Sequence, residues 1–139
     1  GAKLQGTDLH RADLKGANLE GANLQGTDLH RANLQGTDLH RANLQKAELK
    51  RANLQNADLE GAKLIEANLS EANLQGANLQ GAELIRATLK GADLSEANLD
   101  KVNLNGADLT DAIMVGTTII GAILCNTTMP EGNLVYSDC

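Results

Sequence analysis

The chain has 139 residues, a formal net charge of −6 and a single aromatic residue, Tyr136. A globular domain of this length ordinarily packs several aromatics, so a broad core around a ligand-sized cavity is excluded, and the acidic balance argues against nucleic acid as a partner. No stretch is long and apolar enough for membrane insertion, and no signal peptide is visible.

From Gly1 onward the chain enters directly into one pattern. A bulky aliphatic residue stands at every fifth position, Leu4, Leu9, Leu14, Leu19 and so on to Leu109, then Met114, Ile119, Leu124, Met129 and Leu134. Two residues earlier comes a small one, Ala or Thr in 25 of 28 cases, as at Ala2, Thr7, Ala12 and Ala17. In an α-helix a step of five rotates the side chain by about 140 degrees, which sprays the leucines around the cylinder. In a flat strand an odd step sends successive leucines to opposite faces. Both arrangements leave leucines in water. A chain that bends after every pentapeptide buries them all, so the period predicts a solenoid with leucines and small residues pointing to a common axis.

Glycine marks the bends. Of 14 glycines, 13 occupy the slot two residues after the core position, counting Gly1 before the first repeat and running through Gly6 and Gly16 to Gly121. A type II turn needs positive φ there, which glycine adopts at little cost. Elsewhere that slot holds Arg11, Arg31, Arg41, Lys46, Arg51, Glu66, Glu71, Arg86 or Glu96. For these a type I-like turn is expected, so the corners should be of mixed type.

Runs such as Ala22, Asn23, Leu24, Gln25, Gly26 and Ala12, Asp13, Leu14, Lys15, Gly16 follow the consensus A-(D/N)-L-x-x. On these the chain resembles the pentapeptide-repeat family over its whole length. The resemblance implies an all-β fold, a right-handed quadrilateral β-helix of about seven coils of four pentapeptides, forming a single domain over 1–139 with coils about 4.8 Å apart. The bare first coil suggests a shortened chain or an end that docks against another copy or another domain, which leaves end-to-end homo-oligomerisation open.

With 20 residues per coil the sequence folds into columns. Asp8, Asp28 and Glu48 stack beside His10, His30 and Lys50, and beside Arg11, Arg31 and Arg51, which reads as a salt-linked lattice. Gln35, Gln55 and Gln75 form an amide ladder, Lys46, Glu66 and Arg86 alternate sign up one corner, and Lys63 faces Glu83. His10 and His30, one coil apart with Asp8 and Asp28 nearby, raise the question of a metal. A structural site wants four converging ligands, and these lie on a flat, wet wall. His40 falls on a different side and does not join them. No metal, cofactor or catalytic residue is expected.

Residues 1–69 carry nine Lys/Arg against nine Asp/Glu, whereas residues 70–139 carry three against nine, so the entire charge of −6 lies in the C-terminal half. The candidate partner surface is there: Asp93, Asp100, Asp108 and Asp111 for a basic partner, and the outward apolar residues Ile113, Val115, Ile120 and Ile123. Two readings of the apolar set stand, a tail folded over it or a contact surface for a partner or second subunit. Residues 126–139 are the expected C-terminal cap or tail, since Pro130 removes a donor, Gly132 replaces the small inward residue and Cys139 falls in a core slot.

Cys125 and Cys139 are the only cysteines and form a candidate disulfide. Strict register turns Cys125 outward and Cys139 inward on another side, so pairing requires the tail to leave the square path. A bond places the chain in an oxidising compartment, periplasm or thylakoid lumen; free thiols place it in the cytoplasm. The segment 124–134 is similar to tails in pentapeptide-repeat proteins of photosynthetic bacteria and plastids, which points to a photosynthetic source.

No nucleophile stands beside a His and a carboxylate, no glycine loop cradles phosphate and no cleft is foreseen, so catalysis is not expected. The reading is a rigid scaffold presenting ladders to a protein partner. The alternative implied by the resemblance is a DNA-mimicking ligand of a type II topoisomerase (gyrase), since some members bind such enzymes. Against it, Arg, His and Lys interrupt the acidic columns, the core up to Leu109 lacks Phe, no inserted loop breaks the register and no helix-like C-terminal dimerisation segment is visible.

Overall fold

Backbone pairing in the computed structural model, which describes residues 1–139, repeats every 20 residues. Lys3 pairs in parallel with Asn23 and Asn23 with Asn43, a series that climbs one side to Ile123. Parallel series run from Asp8 to Thr128, from Asp13 to Ile113 and from Asn18 to Thr118 on the other three sides. The chain therefore makes four five-residue sides and then lands on itself. The Leu24 N–H donates forward to the Asn43 carbonyl at 2.7 Å, while the Asn23 N–H donates back to the Ala2 carbonyl at 2.8 Å. Each side contributes one bridged residue, because the rest of the pentapeptide is spent turning. Extended strands occur only in the tail, β1 (Leu124–Thr128) and β2 (Leu134–Ser137).

The side chains inside are those the period selects. Every fifth residue from Leu24 to Leu109 and nearly every small residue two places before it is withdrawn from solvent in one continuous column. At the two ends Leu4, Leu9 and Leu14, and Met114, Ile119 and Leu124, are only partly covered. Beyond the first coil, threonine in the alanine slot donates its hydroxyl to a carbonyl of the preceding coil. Thr27 donates to Leu4 at 2.9 Å, Thr37 to Leu14 at 2.8 Å and Thr127 to Leu104 at 2.8 Å. The inward hydroxyl is thereby satisfied.

The corners are uniform, contrary to the mixed set expected from the sequence. Arg11, Arg31, Arg41, Lys46, Arg51, Glu66, Glu71, Arg86 and Glu96 have φ between 54° and 59°, the same left-handed region as Gly6 or Gly36. At each bend the small residue's N–H closes onto the leucine carbonyl three residues back, as Ala12 does onto Leu9 at 2.9 Å. The corner residue's own N–H donates to the next coil, as Arg11 does to His30 at 2.9 Å. The turn closes the first bond and stacking fixes the second, so a side chain with Cβ is held where it would not choose to be. A Cβ added at Gly36 meets nothing within 4 Å, so Gly36→Ala carries the backbone cost alone. It is expected to lower the unfolding free energy by about 1 kcal/mol. Urea unfolding checks this; a gain in stability would contradict it.

The Asn/Asp slot before each leucine also has a structural task. Its side-chain oxygen accepts the N–H two residues on, as in Asp8 to His10 at 3.0 Å, Asn33 to Gln35 at 3.2 Å and Asp58 to Glu60 at 3.1 Å. That N–H finds no backbone acceptor on either neighbouring coil, and a short carboxylate or amide is the side chain that reaches it.

On the walls, Gln35 donates to Gln55 and Gln55 to Gln75, each at 3.2 Å, completing an amide ladder. Glu66 is shared between Lys46 at 3.7 Å and Arg86 at 3.8 Å. Lys63 and Glu83 are paired through their backbones without an ion pair. The salt-linked lattice around Asp8 and Asp28 does not form. These carboxylates clip backbone N–H groups, and Arg51 turns instead to Glu71 at 2.7 Å. That hydrogen bond holds the Glu71 carboxyl below its usual range.

Candidate functional site

The C-terminal end differs from the rest of the rod because the stacking rule runs out there. In the preceding coil the N–H groups of Leu94, Glu96, Leu99 and Lys101 donate to the carbonyls of Ile113, Val115, Thr118 and Ile120. The equivalent groups one coil later, on Met114, Gly116, Ile119 and Gly121, have no backbone acceptor. Two adjoining sides of the last coil thus present an open edge. Ile113, Val115 and Ile120 flank it, exposed to 50%, 73% and 75%, and Ile123 stands at 37%. The tail does not fold over Ile113, Val115 or Ile120.

The tail covers only the remaining stretch of that coil. At Pro130 the chain stops climbing, Gly132 takes φ 84°, and β2 returns antiparallel along β1, with Leu124 opposite Ser137 and Thr128 opposite Leu134. Reversal abandons the core slot that strict register assigns to Cys139. It lays Cys139 beside Cys125, where the two are disulfide-bonded with Cα atoms 4.8 Å apart. Leu134 and Tyr136 remain exposed, so this bond and the short ladder are the main ties of the hairpin.

The acidic residues are distributed around the rod. Asp93 and Ile113 are bridged neighbours on one side, and Asp100 accepts the Ile120 N–H at 2.9 Å on the next. Asp100 takes over that contact because Thr118 occupies the Asn/Asp slot and leaves the N–H free. Asp108 lies on another side and Ile123 on the fourth. Asp111 is a corner residue with φ 60°. The structure therefore joins Asp93 to Ile113 and Asp100 to Ile120, and leaves Asp108, Asp111 and Ile123 apart from them. Partial burial acts to raise the Asp108 carboxyl, but hydrogen bonds from Thr110 and the Lys90 ammonium at 3.2 Å outweigh it and hold it below its ordinary value.

His10 and His30 stack face to face, ring centroids 5.2 Å apart and planes 3° from parallel. Desolvation in this stack, then the charges of His10 and Arg31, pushes the His30 imidazole below its usual value. Parallel rings direct their nitrogens along parallel planes and so do not converge on one ion. No cavity indents the molecule's surface.

A four-sided stack of coils with a filled core and flat walls, open at its first coil as well as along residues 114–121, defines a repeat protein of the solenoid class. The chain belongs to the pentapeptide repeat family: the family's model matches in eight copies over residues 1–31, 22–61, 52–91 and 92–129. It is similar to HetL, a pentapeptide repeat protein involved in heterocyst differentiation regulation in the cyanobacterium Nostoc, with 33% identity over 96% of this chain and 78% of that one and a TM-score of 0.45. It is also similar to a pentapeptide repeat protein of the Arabidopsis thaliana thylakoid lumen, with 26% identity over 95% and 71% and a TM-score of 0.48. A second Nostoc pentapeptide repeat protein shares 36% identity over 70% and 76%, with a TM-score of 0.46. A comparison with curated proteins finds no match to this chain.

Proposed function

We propose that this chain is a non-catalytic, rigid protein-binding rod, a right-handed quadrilateral β-helix of about seven coils spaced about 4.8 Å apart, that engages a basic protein partner at its C-terminal coil. The open backbone edge over residues 114–121, bordered by exposed Ile113, Val115 and Ile120, carries this reading. Free N–H groups in a row accept an extended segment, and the apolar side chains supply area to bury against it. Asp93 and Asp100 lie next to that edge, and Asp108 and Asp111 add negative charge elsewhere at the same end of the rod, which favours a partner of positive charge. Flat walls without a cleft give a reacting group no shelter from water, which supports binding over catalysis. The Cys125–Cys139 bond fits residence in an oxidising compartment, periplasm or thylakoid lumen.

The test is capture of partners on the immobilised chain, set against two variants. One is Asp93→Lys/Asp108→Lys/Asp111→Lys, tolerable at the corner because Lys46 and Lys101 already adopt its conformation. The other is Ile113→Ser/Val115→Ser/Ile120→Ser. A basic protein bound by the parent chain and lost by both variants is the expected result. Retention by both variants rejects the C-terminal site. Capture of gyrase with inhibition of supercoiling establishes the DNA-mimic alternative instead, and self-association in sedimentation that is lost in the Ile113→Ser/Val115→Ser/Ile120→Ser variant establishes a homo-oligomer built on this end.

A further inference from the structure

We propose that His40, Asp58 and Glu60 form a three-ligand site for a divalent d-block cation of the zinc type. One side-chain donor atom from each residue lies within 4.8 Å of the others, and all three residues are half-buried. The stacking register creates the arrangement. His40 and Glu60 occupy equivalent positions on successive coils, the Arg41 N–H donating to the Glu60 carbonyl at 2.9 Å, and Asp58 stands two residues before Glu60 on the same wall.

The two carboxylates are already oriented. Asp58 Oδ1 accepts the Glu60 N–H at 3.1 Å and the Asn78 amide at 3.2 Å, and the same amide reaches Glu60 Oε2 at 3.5 Å. One oxygen of each carboxylate remains for a ligand, and the hydrogen-bonded shell that tunes a metal site is in place. None of the three heads has a Lys or Arg partner, and no ion pair joins His40 to either carboxylate. The gap is too wide for direct contact. A cation about 2.0–2.2 Å from each donor spans it after modest side-chain rotation.

Electrostatics favours the same wall. Residues 17–21, 37–41 and 57–61 carry Glu20, Asp38, Asp58 and Glu60 against Arg41 alone. The His10–His30 pair instead has Arg11, Arg31 and Arg51 beside it, which repel a dication. One imidazole and two carboxylates form a borderline N/O donor set, suited to zinc, nickel or copper(II) with water completing the shell. Bound there, the ion ties one coil to the next.

The experiment is calorimetric titration of zinc chloride into the metal-stripped, disulfide-intact full chain. One saturable site per chain is expected, abolished in His40→Gln, weakened at least about tenfold in Glu60→Gln and Asn78→Ala, and unchanged in His10→Gln/His30→Gln. Absence of saturable binding, equal binding by His40→Gln, or loss in the His10/His30 variant overturns the site. In the unaltered chain, zinc must shift the His40 ring-proton resonances before those of His10 and His30. Simultaneous shifts of all three also overturn it, so the outcome does not depend on every variant folding.

Discussion

Leu64→Ala is expected to lower the unfolding free energy by about 2–5 kcal/mol and to divide the rod into two weakly coupled halves. Leu64 is fully buried, with leucines of the coils on either side and Ala62 beside it. Removing its branched end loses the transfer free energy of the missing groups and opens a cavity. The walls cannot collapse into it, because the Leu64 N–H is bound to Glu83 at 2.7 Å and the Ala67 N–H to Leu64 at 3.0 Å. Side chains across the narrow core are already packed, so the void persists. In a stack held by nearest-neighbour contacts, a weakened middle coil uncouples what lies on each side. Urea unfolding should show the loss together with a broadened or biphasic transition. Leu4→Ala, at a partly covered position in the first coil, should cost much less. Equal losses at the two positions would show that stability is not carried by coil-on-coil stacking.

Breaking the Cys125–Cys139 bond, by reduction or by Cys125→Ser/Cys139→Ser, is expected to release the hairpin while leaving the central coils intact. The bond closes a segment with a sequence separation of 14. A loop of that size restricts the open chain by about 3 kcal/mol, roughly a hundredfold in the opening equilibrium. That restriction acts locally, because β2 leaves Leu134 and Tyr136 exposed and contributes little to the core. Amides of residues 131–137 should exchange about a hundredfold faster with solvent after reduction. Those of Leu24 to Leu104 should be unmoved. Unchanged exchange in the tail would mean that the β1–β2 ladder holds it unaided.

Much of this architecture is legible residue by residue. The inward path of Leu24, Leu29 and their successors follows from a period that neither a helix nor a flat strand accommodates, and the Gln35–Gln55–Gln75 ladder follows once 20 residues are assigned to a coil. The conformation of Arg11 or Glu66 was not legible in this way. Local preference steers such residues away from positive φ, and the hydrogen bond each donates to the next coil, together with the turn's own bond, overrides that preference. The Asn/Asp slot is a backbone clip, a role that the repeat pattern alone does not reveal because it depends on the path of the turn that follows. The 20-residue columns separate His40 from His10 and His30, and its acidic neighbours one coil further on are Asp58 and Glu60.

The sequence by itself determined which residues are inside and where the chain bends, because both depend on a repeat only five residues long. Only the tertiary structure decided what happens when coils meet or when stacking ceases: left-handed corners on charged residues, a carboxylate pair beside His40, a reversed tail that brings Cys139 to Cys125, and an edge left open beside Ile113, Val115 and Ile120. Each of these depends on partners more than ten residues away in sequence, whose distances are set by the stack as a whole.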